Sequence, residues 1–292
     1  TIDGFLREVL NGDDIPVIEE MLGYSLLNNY KFHKAFMLQG AGRNGKSTLL
    51  NLLQAFLGMD NCSNVALTSL CNDRFAKAQL FGKLANIYSD LPSEALKNSA
   101  DFKALSGGDR ITAEHKFQAA FAFTNYAKLI FSCNYVPMTH DLSNAFFDRW
   151  IIIRFPNMFT GEKMNPNLLA KLTTEDELSG LLNLAIRGLK RLLENGGFTY
   201  RKSLEEVQDE YERLSNPVAA FLADMCEEDP EEYAIKDELY NVFKSYCKSN
   251  GYSIFSEKMF TGLLKKLAPV NDYRPTVNGE RKRAWQGIKL AS

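Results

Sequence analysis

Cysteine and histidine are scarce in this 292-residue chain, and neither is clustered. The five cysteines, Cys62, Cys71, Cys133, Cys226 and Cys247, are odd in number and include no C-x-x-C pair, and only three histidines accompany them. This distribution fits a reducing compartment and argues against a zinc site. Long hydrophobic runs are also missing: no apolar stretch approaches the length of a membrane span, and no signal peptide opens the chain. The chain is therefore expected to be cytoplasmic, with no membrane partner. Charge of one sign does not dominate, since the formal net charge is -2, so any recognition of nucleic acid has to rest on local basic clusters. What is present is ordinary globular material, 45% hydrophobic and 24% charged, with length enough for two domains. The chain opens at Thr1 with no Met and enters a helical pattern at once, so a fragment of a longer polypeptide is expected.

The stretch on which the rest is organised is Gly40-Ala41-Gly42-Arg43-Asn44-Gly45-Lys46-Ser47-Thr48. It follows the apolar run Ala35 to Leu38 and precedes Leu49, Leu50, Leu52, Leu53, Phe56 and Leu57, which recur at helical spacing as far as Gly58. A complete G-x-x-x-x-G-K-S between a strand and a helix is a phosphate-binding P-loop. Its glycines let the backbone amides curl around phosphate oxygens, and the helix N-terminus adds positive dipole. Lys46 is placed to reach the terminal phosphates and the Ser47 hydroxyl to ligand Mg²⁺.

Ahead of the loop, Phe5, Leu6, Val9 and Leu10, then Val17, Ile18, Met21 and Leu22, predict two short helices, a small collar with no evident chemistry. After it, Leu84 to Ser89 reads as a second buried strand with Asp90 at its end, taken to lie beside the P-loop strand. A carboxylate there can hold Mg²⁺ and orient a water, although an Asp ending a strand also serves as a simple cap. Ser89 stands where a second acid is usual, so the group that polarises the water is left between Asp90 and Glu94. Arg110 to Glu114 and Ala119 to Phe123 predict a β-hairpin with His115-Lys116-Phe117 at its tip. A basic and aromatic tip suits a backbone phosphate and a stacked base, or else is a solvated turn. Lys128 to Asn134 and Trp150 to Ile153 are further core strands. Asn134 at a strand end is either a γ-phosphate sensor or a turn former, and Arg149 by itself reads as a surface ion pair. Strands alternating with helices around a P-loop predict a three-layer α/β fold with the site at the strand ends.

Together these residues resemble the superfamily 3 helicases of the phage, plasmid and poxvirus primase-helicase branch. The matching stretches are Gly40 to Ser47, Ala85 to Pro92, Phe102 to Asp109, Ala127 to Asn134 and Ala145 to Trp150, and the similarity is strong from about Asp3 to Phe159. The resemblance implies an AAA+-like P-loop ATPase core that uses ATP and Mg²⁺ and forms rings, usually hexamers, with ATP between neighbours and single-stranded DNA in the pore. Carried over by position, it implies nucleotide binding by Lys46 and Ser47, metal and water handling by Asp90, a sensor at Asn134 and an arginine finger at Arg149. It also implies DNA contact by Lys116. Phe117 stands where relatives with a Lys-His tip have histidine. Lys103 and Asp109 match the motif before the hairpin.

In the second half, Pro166 to Leu172 and Leu178 to Leu193 predict helices, the latter with a broad apolar face of Leu178, Leu181, Leu182, Ala185, Ile186, Leu189, Leu192 and Leu193 packed on the ATPase sheet. A polar helix from Ser203 leads to a boundary at Ser215-Asn216-Pro217. Three amphipathic helices then precede a hairpin whose Asn278-Gly279 suits a type I′ turn, the order expected of a winged helix. Acids crowd its start, whereas Lys265, Lys266, Arg281, Lys282 and Arg283 are among the bases that crowd its end. Duplex origin DNA is the partner this basic end suggests, although winged helices also dock proteins.

The expected plan is thus a collar over 1–33, the superfamily 3 ATPase domain over 34–200, a helical linker over 201–217 and a winged-helix DNA-binding domain over 218–292. The expected function is an ATP-dependent ring-forming DNA helicase of a phage, plasmid or other mobile element, the C-terminal part of a primase-helicase. The competing reading is an ATP-switched replication initiator or loader without processive unwinding.

Overall fold

The computed structural model describes residues 1–92, 95–161, 165–277 and 279–291. It resolves into two compact units, Thr1–Tyr211 and Glu212–Ser292.

The first unit opens with helices α1 (Ile2–Val9) and α2 (Ile15–Tyr24), then alternates strand and helix: β1 (Ala35–Gln39), α3 (Lys46–Leu57), β2 (Cys62–Ser63), α4 (Leu67–Asn72), α5 (Arg74–Ala78) and β3 (Ala85–Tyr88). It continues through α6 (Ala100–Gly107), β4 (Arg110–Ala113), β5 (Phe121–Thr124), β6 (Lys128–Cys133), α7 (Asn144–Phe147), β7 (Trp150–Arg154), α8 (Leu168–Leu172) and α9 (Glu175–Asn195). Five strands form a parallel sheet in the order β2-β3-β6-β1-β7, and β4 and β5 pair antiparallel as a separate hairpin. Strands β1 and β6 are buried on both faces, which is why they read as unbroken apolar runs.

The strand that ends at Asp90 is expected beside the P-loop strand, but β6 lies between β1 and β3. Sequence order does not dictate sheet order when every connection is a crossover. Helix α9 was expected to bury one broad face on the sheet. Its buried residues are Leu181, Ala185, Gly188 and Leu192, while Leu182, Ile186 and Leu193 are exposed.

Helix α9 packs instead along α2. A Cβ on Gly188 would meet the Glu19 carbonyl at 2.2 Å, and one on Gly23 would meet the Ala185 carbonyl at 2.4 Å, so the two glycines let the backbones touch. The buried carboxylates of Glu19 and Glu20 are met by Arg187 and Arg191, with Arg191 Nε donating to Glu20 at 2.7 Å and Arg191 Nη1 to Glu19 at 3.1 Å. Burial of these acids is tolerable because each has charged partners. Lys128, fully buried, ties the same region to the sheet by donating to Leu27 O and Tyr126 O, both at 2.6 Å. Its ammonium lies 4.6 Å from the Tyr24 ring centroid.

Helix α10 (Leu204–Ser215) spans the boundary between the units. The second unit then runs α11 (Pro217–Met225), β8 (Cys226–Ile235), α12 (Lys236–Asn250), α13 (Glu257–Leu267), β9 (Asn271–Tyr273), β10 (Thr276–Val277), β11 (Glu280–Arg281) and β12 (Ala284–Leu290). Antiparallel strands form a sheet in the order β8-β12-β9, and β10 pairs with β11. Asn278 of the expected turn lies outside the described residues, as does Glu94. The core is Phe221, Phe243 and Phe260, with Phe243 and Phe260 ring centroids 4.6 Å apart. Helix α13 is capped by Ser256, whose Oγ accepts from Met259 N. No helix among the described residues is long and apolar enough to cross a membrane.

Candidate functional site

The loop after β1 turns through left-handed backbone at Gly42, Arg43 and Gly45, with φ of 37°, 55° and 92°. Only glycine takes such values freely, and the alternation curls the amides into a concave nest at the start of α3. Gly45 N-caps α3 without a side chain, leaving the first-turn amides to a ligand.

Lys46 rises from the first turn into this nest, buried, with Nζ donating to Gly40 O at 2.5 Å, Asn44 Oδ1 at 2.9 Å and Asn134 Oδ1 at 3.3 Å. Desolvation lowers its pKa, opposed by the negative potential of the Asp90 carboxylate. Asn44 is held in turn by donating to Phe155 O at 3.3 Å. Asn134, at the end of β6, also accepts from Gly42 N at 3.3 Å, and its Nδ2 donates to Asp90 Oδ1 at 3.4 Å. Asp90 has φ of 66°, uncommon outside glycine, and its amide donates to Ser132 Oγ at 3.3 Å. The strained turn aims the carboxylate back across the end of β6, so it reaches the loop although its strand is one removed from β1.

Lys46, Ser47, Thr48, Asp90 and Asn134 therefore line one cavity of about 430 Å³ with the P-loop backbone. Gly40 and Ala41 open the loop at the end of β1. Among these, Asn44 as the lysine's anchor is the contribution that the sequence did not single out. The collar is another: Phe5 and Val9 of α1 line a second cavity that abuts the loop.

Arg149 is not in this cavity. It precedes β7, with Nε donating to Lys103 O at 3.3 Å and Nη1 to Ala145 O. Lys103 is itself paired with Asp141 at 2.8 Å. The hairpin tip lies apart again. Phe117 is 92% exposed with φ of 65°, and Lys116 Nζ sits 5.1 Å from its ring centroid. His115 stacks on Phe121 with centroids 5.3 Å apart, so its ring lies against the hairpin.

In the second unit Lys265, Lys266, Arg281 and Arg283 are exposed and Lys282 is half-buried, and three of these five bases face acids. Lys265 lies 3.0 Å from Asp272, Lys282 3.8 Å from Glu238, and Arg283 3.9 Å from Asp237. The Lys265 and Lys236 ammoniums also approach the Trp285 ring, at 4.9 and 3.5 Å from its centroid.

Residues 38–149 match a family of unknown function, DUF5906, and residues 213–286 match the family described as Poxvirus D5 protein-like. The chain is 23% identical over 290 residues to the "Putative helicase V13" of Sputnik virophage. That similarity covers 92% of this chain and 36% of the virophage protein, so the chain spans about a third of that relative's length. The A form apo structure of the NrS-1 C-terminal region superposes with a TM-score of 0.53 at 12% identity, covering 98% of this chain and 75% of that one.

The chain resembles superfamily 3 helicases of the phage and poxvirus type. The two family matches fall on different parts of the chain. The match over 38–149 begins near the end of β1 and closes at Arg149, and the poxvirus-like match falls within the second unit. The structural likeness to the NrS-1 region is one of fold: a mixed α/β chain built on a parallel sheet.

Proposed function

We propose that the chain is the motor portion of an ATP-dependent DNA helicase that replicates a virus or other mobile element, with an AAA+-like core in the first unit and a winged helix in the second. The observation that carries this is the convergence of Lys46, Asp90 and Asn134, from three separate segments, on one cavity lined by P-loop backbone. Lys46 neutralises the terminal phosphates, Asn134 bridges the loop and the carboxylate, and Asp90 orients the attacking water.

The residues fit a magnesium ion: Ser47 and Asp90 present hard oxygen donors to the same cavity, and Mg²⁺ commonly takes one or two protein oxygens with phosphates and waters completing the shell. When bound, it supplies neutralisation of the phosphate charge. Ser47 and Asp90 are its proposed ligands.

Arg149 is the finger offered to a neighbouring copy in a ring, taken as a hexamer. Lys116 and Phe117, with His115 behind them, contact single-stranded DNA in the pore. The order α11-β8-α12-α13-β9-β12, with β10 and β11 as the wing, supports the winged-helix reading, and Lys265, Lys266, Arg281, Lys282 and Arg283 are its candidate contacts to duplex origin DNA. Collar 1–33, ATPase 34–200, linker 201–217 and winged helix 218–292 remain the proposed division, and the host cytoplasm the proposed place of action.

The second reading, an initiator or loader without processive unwinding, is favoured by the acids that face Lys265, Lys282 and Arg283, which lower the net positive field of the duplex-binding end. DNA-stimulated ATP hydrolysis and strand displacement, measured together, separate the two. The helicase reading expects both activities, and their joint loss in Lys46→Ala. Hydrolysis with no separated strands would select the loader.

A further inference from the structure

Two short helices hold the Arg149 guanidinium between them. Its Nε donates to Lys103 O of α6 at 3.3 Å and its Nη1 to Ala145 O of α7. A Cβ on Gly107, four residues along α6 from Lys103, would stand 3.4 Å from its Nη2. Both acceptors are main-chain carbonyls, so the direction of this side chain is set by where α6 and α7 lie. The two helices share an apolar core with the start of β7: Phe102 of α6 stacks on Trp150 with ring centroids 4.6 Å apart, and Phe146 of α7 meets Phe102 edge-on at 5.6 Å. Apolar packing is non-directional, so it sets how closely the helices approach more than how they are turned.

One carboxylate ties their polar ends together. Asp141 lies in the loop between β6 and α7. Its Oδ2 accepts from Lys103 Nζ at 2.8 Å and from the Oγ of Ser99, the N-cap residue of α6. Its Oδ1 accepts at 2.9 Å from the amide of Ser143, the N-cap residue of α7. Hydrogen bonds to a charged group are roughly twice as strong as neutral ones. Burial works to raise the Asp141 pKa, but the bonds from Lys103, Ser143 and Ser99 outweigh it and hold the carboxyl well below the usual carboxylate range. Asp141 therefore joins the beginnings of both helices whose carbonyls receive Arg149, and Lys103 takes part twice, by its ammonium and by its carbonyl.

We infer that Asp141 is a positioning residue for Arg149: by clamping the start of α6 to the start of α7, it fixes the helix pair that aims the guanidinium at a neighbouring copy's nucleotide. The inference rests on the reading of Arg149 as a finger and names what keeps that finger in line. None of the bonds of the clamp involves Lys46 or Asp90, so its loss leaves the P-loop of the same copy sound and harms the site of the next.

The test measures ATP hydrolysis and ATP affinity on the full chain for Asp141→Ala, for the double variant Asp141→Ala with Arg149→Ala, and for mixtures of subunits. Asp141→Ala should lower the maximal hydrolysis rate roughly a hundredfold with ATP affinity unchanged, the cost of misplacing a catalytic group by about 1 Å. It should add nothing to the loss produced by Arg149→Ala. Mixed with Lys46→Ala subunits it should regain turnover, because its own P-loop meets a correctly aimed arginine at some junctions. Lys103→Met, which removes the ammonium and keeps the carbonyl, should show the same pattern to a smaller degree, and it carries the test if Asp141→Ala does not fold. Full turnover by both variants, loss of ATP affinity in both, additive losses in the double variant, or no recovery in a mixture when Arg149→Ala does recover with Lys46→Ala, each overturns the positioning role. Full turnover by Arg149→Ala, or no recovery of its own mixture, overturns the finger reading and this inference with it.

Discussion

Arg149 and Lys46 stand at opposite ends of the same parallel sheet. Arg149 O accepts from Ala35 N at 2.7 Å, at the start of β1, whereas Lys46 lies beyond the end of that strand. Strands β1 and β7 run in register from Ala35 with Trp150 to Gln39 with Arg154. Five residues at about 3.3 Å each put roughly 16 Å between the two levels, beyond the reach of an arginine side chain. A role for Arg149 in hydrolysis therefore has to be played on the nucleotide of another copy.

Arg149→Ala is expected to lower the rate of ATP hydrolysis on the order of a thousandfold while leaving ATP affinity intact. Mixing it with Lys46→Ala subunits should restore part of the activity, because some junctions then pair a sound loop with a sound arginine. Steady-state turnover of the single and mixed samples checks both statements. Full turnover by the Arg149 variant would remove the shared site.

At the hairpin tip, Lys116→Ala should reduce the slope of log affinity for single-stranded DNA against log salt by about 0.7, the contribution of one phosphate contact on a single strand. Phe117→Ala should instead weaken binding by about 1–3 kcal/mol with the slope preserved, as loss of a stacked base does. Fluorescence anisotropy over a salt series distinguishes the two. Identical salt slopes in the Lys116 variant and the unaltered chain would rule out the ionic contact.

Gly188→Ala should destabilise the first unit by roughly 1–3 kcal/mol, because its Cβ would be driven into the Glu19 carbonyl, 2.2 Å away, in a tightly packed interior. Gly180→Ala, on the same helix with open space around its Cα, is the control. Thermal melts of the pair should show a fall in Tm for Gly188→Ala only.

Lys128 should leave a signature in stability against pH. Desolvation lowers its pKa to about 7, whereas in the unfolded chain it titrates near 10.5. Between these values the unfolded chain holds a proton that the folded chain lacks, so this lysine makes stability rise with pH, by at most about 1.4 kcal/mol per unit, and contributes no slope below about 7. Buried thiols such as Cys133, pushed up to about 12, act in the opposite sense above their unfolded value of 9.0. Subtracting the denaturation curve of Lys128→Met from that of the unaltered chain isolates the lysine. A difference that does not change between pH 7 and 9 would show that Lys128 stays charged when folded.

The local elements were legible because their signals are local. A glycine-rich loop between an apolar run and an amphipathic helix has one reading, and Ser256 capping α13 follows from its position before the helical pattern. Asp90 and Asn134 could be named as strand-end polar residues, but their meeting at 3.4 Å depends on β6 lying between β1 and β3. No periodicity encodes that. The apolar face of α9 was overread for a related reason: spacing identifies residues able to be buried, and Leu182, Ile186 and Leu193 show that not all of them are.

From the sequence by itself came the phosphate loop, the strand and helix periods, the hairpin with its basic aromatic tip and the resemblance to superfamily 3 helicases, since each rests on residues close together along the chain. Tertiary structure alone decided that Asn44 and Asn134 steady Lys46, that Arg149 stands at the opposite end of the sheet from its own loop, and that helix α1 walls a cavity beside that loop. These depend on sheet order and on backbone contacts at Gly45, Gly23 and Gly188, where the absence of a side chain matters only once a distant segment arrives to fill the space.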